Sequence, residues 1–111
     1  MDLKMTVINI SEFTKNQARN LTGHERGSLA RVFYKLDDLD ELHESVQVIV
    51  PDELDAITTS FFQGMFATSV KAFNTTDEFL AHYKFQAQPS IIMQIQRGID
   101  RVKTRRGEAF S

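Results

Sequence analysis

The chain reads as an α/β domain with a small mixed or mostly parallel sheet flanked by helices. Three observations carry that reading. Residues 46–50, VQVIV, are β-branched and almost continuously apolar, as in a strand covered on both faces. Apolar residues at helical spacing precede and follow this strand, with helix-start signatures among them. Strands separated by helices in this way usually pair in parallel through crossovers.

The elements follow in order along the sequence. Leu3, Met5 and Val7 alternate with polar residues, and Ile8 and Ile10 follow, so a first strand is expected near 3–10. Thr14 with Gln17 makes a capping-box pattern, in which each side chain satisfies a backbone N–H of the other end, and predicts a helix beginning at Thr14. Thr22 and Glu25 repeat the pattern. Gly23 and Gly27 predict a bend or a close backbone approach in the same region. Leu29, Val32, Phe33 and Leu36 fall at helical spacing and give that helix one apolar face. It should end near LDDLDE, because aspartate favours turns over helix interiors.

Pro51 and Asp52 close the VQVIV strand. Phe61, Phe62, Met65 and Phe66 predict a short buried helix, for which Ser60 with Gln63 is a further capping box. SVKAF, 69–73, reads as a strand. Thr75 and Glu78 open a helix through Phe79, Leu80 and Tyr83. Pro89 suits the first turn of the last helix, since its fixed φ fits there and its missing N–H costs nothing. Ile91, Ile95, Ile99 and Val102 form an apolar stripe on that helix, available to its own sheet or to a second copy. The expectation is a single domain over 1–111, with 1–2 and 107–111 frayed.

The 111 residues are enough for one core, 41% of them apolar and 25% charged. No cysteine is present, so disulfides and thiolate metal sites are excluded, and a cytoplasmic location is expected. The apolar runs are too short to span a membrane, and the start MDLKMTVINI is no secretory signal. Charge is unevenly spread. Asp37, Asp38, Asp40, Glu41, Glu44, Asp52, Glu53 and Asp55 fall in a stretch without Lys or Arg. Arg97, Arg101, Lys103, Arg105 and Arg106 face the single acid Asp100. Arg97, Arg101 and Arg105 lie at i, i+4, i+8 and form a basic surface able to follow a phosphate backbone. The pI of about 5.9 and the absence of aromatics among these arginines argue against nucleic-acid binding as the leading function.

Catalytic and metal patterns are missing. His24, His43 and His82 have no ligand partners at metal spacing and read as surface or cap residues. No nucleophile elbow or phosphate-binding loop occurs, so neither an enzyme nor a cofactor is expected. What stands out is ITTSFFQGMF, 57–66, where Thr58, Thr59 and Ser60 open a predicted helix. The free N–H groups of a helix start favour negative charge, so a phosphate there could be tolerated.

The pieces VIVPD, ITTSFFQGMF, SVKAF and EFLAHYKF, in that order, resemble the bacterial STAS-like domains of unknown function. These are distant relatives of the sulphate-transporter and anti-sigma-factor-antagonist domain. TGHERGSLAR, LDDLDEL and QRGIDRV extend the resemblance over about 10–103. It implies a regulatory α/β domain that acts through protein contacts. In true antagonists the strand-to-helix turn reads Asp-Ser-Ser-Gly-Leu, with a phosphorylated first serine. That motif falls on Thr58, Thr59, Ser60, Phe61 and Phe62, and Thr59 takes the phosphoacceptor's place. Three positions depart: Thr58 for the acid, Thr59 for serine and Phe61 for glycine. The resemblance implies a protein partner acting in trans, a histidine-kinase-like ATPase in related systems. The expected function is therefore a non-enzymatic interaction domain contacting its partner through 57–63. The alternative is a nucleic-acid-binding or nucleic-acid-mimicking accessory protein, and a homodimer is open.

Overall fold

The computed structural model describes residues 6–15 and 19–108, with side chains described as far as Thr104. The elements are β1 (Thr6–Asn9), α1 (Ile10–Thr14), β2 (Asn20–Leu21), α2 (His24–Phe33), α3 (Leu36–Leu39), β3 (Val46–Ile49), β4 (Ala56–Ile57), α4 (Thr59–Ala72), α5 (Thr76–His82), β5 (Tyr83–Gln86) and α6 (Pro89–Glu108). The α/β class stands, and among the described residues every strand pairing is parallel. β3 is central in a sheet ordered β1-β3-β5, in which Ile8, Val48 and Phe85 lie side by side. A second, two-stranded sheet pairs β2 with β4. Each of these stubs leads directly into a long helix, so α2 and α4 start side by side and run together.

That proximity rests on two glycines. A Cβ at Gly27 would overlap the Phe61 carbonyl oxygen, and one at Gly64 would overlap the carbonyl oxygen of His24. The close approach expected around Gly27 is therefore the α2–α4 contact, and Gly23 adopts φ 89 as the residue before α2. α6 packs on α4 in a similar way. A Cβ at Gly98 would stand 2.5 Å from the Phe62 ring. Ile91, Ile95, Ile99 and Val102 are all buried, so the stripe of the last helix covers its own core. Phe62, Phe66, Phe79, Tyr83 and Phe85 form the aromatic centre of that core, with ring centroids 5.3–6.5 Å apart in edge, tilted or stacked contacts.

Several expectations are corrected. Among the described residues the sheet is covered on one face only. Val46 and Val48 point into the core, whereas Gln47 is half-buried, Val7, Lys84 and Gln86 are exposed, and Gln47 donates to Gln86 at 2.7 Å. Thr14 ends a helix rather than starting one, because Asn9 caps α1 by accepting from Ser11 N at 3.0 Å. Thr22 does not cap α2: Gly23 precedes it without a side-chain bond. α2 stops at Phe33, and LDDL forms the short α3 after Lys35 turns left-handed at φ 57. SVKAF continues α4 instead of forming a strand, and Tyr83, expected to end a helix, is the first residue of the strand β5.

The Thr75 cap holds, accepting from Glu78 N at 3.1 Å, and α6 begins at Pro89. Gly107 and Glu108 belong to α6, whereas 1–2 and 109–111 lie outside the described residues. The largest reversal concerns α2. Leu29, Val32 and Phe33 are 58%, 75% and 54% exposed, while Leu36 is buried. The face α2 gives to the core holds Gly27, Ala30 and Arg31 instead, because α4 approaches too closely for larger apolar side chains.

Arg31 accordingly lies in a polar cluster between elements. Its guanidinium donates to Met65 O at 3.0 Å, to Ser69 Oγ at 2.9 Å, to Asp37 at 2.7 Å and to Asp40 at 2.7 Å. Asp40 also accepts from Ser69 Oγ at 2.6 Å and from Tyr83 Oη at 2.5 Å. The Arg31 and Asp40 side chains are only 12% and 10% exposed. Burial by itself would lower the Arg31 pKa, but its bonds to Asp40 and Asp37 raise it. Burial, then the bond to Asp40, pushes the Tyr83 phenol far above its ordinary value. One buried charge cluster thus joins α2, α3, α4 and β5. Among the described residues no buried side-chain polar atom lacks a hydrogen-bond partner.

Candidate functional site at the start of α4

The strand stub β4 delivers the chain to the hydroxyl triplet. Three hydrogen bonds fix this turn. Thr58 N donates to Leu21 O at 2.9 Å, and Asp55 N donates to Arg19 O at 2.6 Å. Ile57 N donates to the Gln94 side chain of α6 at 2.6 Å. The turn is therefore held by β2 on one side and α6 on the other.

Within it the three hydroxyls have different surroundings. Thr58, not Ser60, is the N-cap of α4. Its Oγ1 accepts from Phe61 N at 3.2 Å and lies 3.3 Å from Leu21 O, to which it donates. That hydroxyl is occupied by capping, which is the usual work of threonine at this position. Ser60 is exposed, with its Oγ 3.2 Å from Thr58 Oγ1. Thr59 is half-buried and lines two adjoining open grooves. One, of about 360 Å³, runs between Thr58, Thr59, Gln94 and Arg97. The other, of about 400 Å³, runs between Thr59, Arg97, Asp100 and Arg101.

Thus two features far apart in the sequence meet. Thr59 and the exposed Arg97 share both grooves, and Arg101 stands at the far end of the second. The side chain of Arg105 lies outside the described residues. Three positive influences gather here: two guanidinium groups and the N-terminal end of a 14-residue helix whose first turn contains no acid. Asp100 offsets part of that charge. Gln94, which anchors the turn, was not singled out in the sequence, since nothing distinguishes it from other polar residues of α6.

The remaining sequence candidates separate from this place. The acidic residues of 37–55 divide, Asp40 joining the buried cluster and Asp55 forming an exposed ion pair with Arg19 at 3.0 Å. His82, read as a surface or cap residue, is buried at the end of α5. Its Nε2 lies 2.8 Å from Leu39 O, and its ring packs 4.7 Å from Tyr83 and 5.0 Å from Phe73. Among the described residues no group of three or more His, Cys, Asp or Glu could hold a metal, and no helix is long and apolar enough to cross a membrane. No family model, curated protein or solved structure matches the chain.

Proposed function

We propose that this chain is a non-enzymatic regulatory domain that binds a protein partner through the turn and first helical turn at 57–63. The observation that carries the reading is the position of Thr59 in two grooves rimmed by Arg97 and Arg101, beside the exposed hydroxyl of Ser60. A rigid backbone turn with outward hydroxyls and adaptable cations at its edge suits recognition of another protein surface. The resemblance to STAS-like domains points the same way, and suggests a cytoplasmic partner of the histidine-kinase-like ATPase kind acting in trans. Phosphorylation of Thr59 or Ser60 would place an anion at the positive end of α4, on Thr59 also next to Arg97, changing the docking surface without disturbing the core.

A photo-crosslinker at Ser60 tests the reading in host cells, with the same group at Asp77 on α5 as control. A specific protein adduct from position 60 alone is expected. Equal capture at both positions, or none, refutes the surface. Ser60→Glu should alter partner affinity and raise domain stability by about 0.3–1 kcal/mol through the helix dipole. Intact-mass analysis of native protein tests the phosphate directly. The nucleic-acid reading draws on the exposed Arg97 and Arg101. A titration with mixed DNA and RNA separates the two readings, since binding through these groups must weaken as salt rises.

A further inference from the structure

The exposed apolar face of α2 has no role in the surface proposed above, and none of its residues lines the grooves at Thr59. Leu29, Val32 and Phe33 stand at i, i+3 and i+4, each more than half exposed. Phe13 of α1 extends the patch, its ring 5.5 Å from that of Phe33 and covered by the Arg26 guanidinium at 5.4 Å. The three exposed side chains present roughly 300–400 Å², a size at which a patch commonly marks an interaction site. Aromatics beside an arginine are also the composition that protein interfaces favour.

Charge indicates the occupant. Glu25 is exposed in the first turn of α2, and Lys35 is exposed just beyond its last turn. They flank the apolar residues from opposite ends. A two-fold axis passing near residue 30 would place Glu25 of each copy against Lys35 of the other. Leu29 would then sit between Val32 and Phe33 of its mate. Parallel pairing would set like charge against like. We propose that a second copy of this chain covers the face, α2 packing antiparallel on α2. Such an isologous contact closes on itself. Its area falls short of the roughly 800 Å² per partner of a standard interface, so the dimer is weak and concentration-dependent.

Sedimentation equilibrium over roughly 10 µM to 1 mM tests this, the range in which a sub-standard interface forms. The mass should rise towards that of a dimer. Val32→Glu should hold the protein monomeric with an unchanged unfolding midpoint, because the side chain already faces water. Glu25→Lys alone and Lys35→Glu alone should each weaken dimerisation by roughly tenfold, since each sets two like-charged pairs face to face. An equimolar mixture of these two variants should dimerise as well as the parent chain, because a mixed pair restores both opposite-charge contacts. A mass that stays monomeric throughout overturns the proposal and gives the face to another occupant. A dimer indifferent to Val32→Glu places the interface elsewhere. Failure of the mixture to recover refutes the antiparallel arrangement. None of these outcomes depends on the turn at Thr59.

Discussion

Replacing Gly64 by alanine tests the central packing contact most directly. The added Cβ would overlap the carbonyl oxygen of His24 and lie 2.9 Å from Ser28 N. Both are backbone atoms, so no side chain can rotate aside, and α2 and α4 must move apart by roughly 1.5 Å to restore ordinary contact. Overpacking of this kind costs about 1–3 kcal/mol, and occasionally more. Separation would also stretch the Arg31 bonds to Met65 O and Ser69, now 3.0 and 2.9 Å. Against this, alanine favours a helix interior over glycine by about 0.8–1 kcal/mol. With the clash at the upper end of that range, the net loss is about 2 kcal/mol, which lowers the melting midpoint by about 8–16 °C in a domain near 100 residues.

Gly27→Ala should cost a similar amount, since its Cβ would overlap Phe61 O and lie 2.9 Å from Met65 N. One displacement relieves both clashes. The double variant should therefore lose less than the sum of the single variants, by at least about 0.5 kcal/mol. Urea and thermal unfolding followed by circular dichroism measure all four corners of this cycle. If Gly64→Ala proves as stable as the parent, the helices are not in backbone contact and the account of α2 burial collapses with it.

Asp40→Ala should destabilise by about 3–5 kcal/mol, because Arg31 would keep only the exposed Asp37 as a charged partner while still buried; replacing Arg31 and Asp40 together by Met and Leu should cost less than Asp40→Ala alone, as read by urea denaturation. Thr58→Ala should lose about 1 kcal/mol of stability by removing the α4 cap, and Ser60→Ala far less, a difference that thermal melts resolve. Tyr34 donates to Asn9 O at 2.7 Å and accepts from Phe13 N at 3.1 Å, and burial first of all pushes its phenol up to about 12. A raised folded pKa makes the stabilisation complete below the unfolded value near 10 and lost as pH climbs towards 12; Tyr83 contributes in the same direction. Unfolding free energy should therefore fall over that window, and Tyr34→Phe should make the fall shallower.

Elements governed by local chemistry were legible in the chain itself. The β-branched run at 46–50 has no competitive helical alternative, and the hydroxyl of Thr75 followed by Glu78 fixes a helix start within four residues. The four-residue period of Ile91, Ile95 and Ile99 specifies a buried stripe whatever lies opposite it. Sequence could also mark Thr58, Thr59 and Ser60 as a helix opening, though not which of them caps, because all three hydroxyls suit the position. The rest depended on contacts between distant segments. SVKAF follows α4 as helix because its Ser69 and Val70 are buried in the same core, and YKFQ becomes strand because β3 offers its edge. The pattern at Leu29, Val32 and Phe33 points to a core face, yet Gly27 and Gly64 admit α4 on the opposite side. Backbone-to-backbone approach decides which face of α2 is inside, and only the fold brings Arg97 of one helix to Thr59 of another.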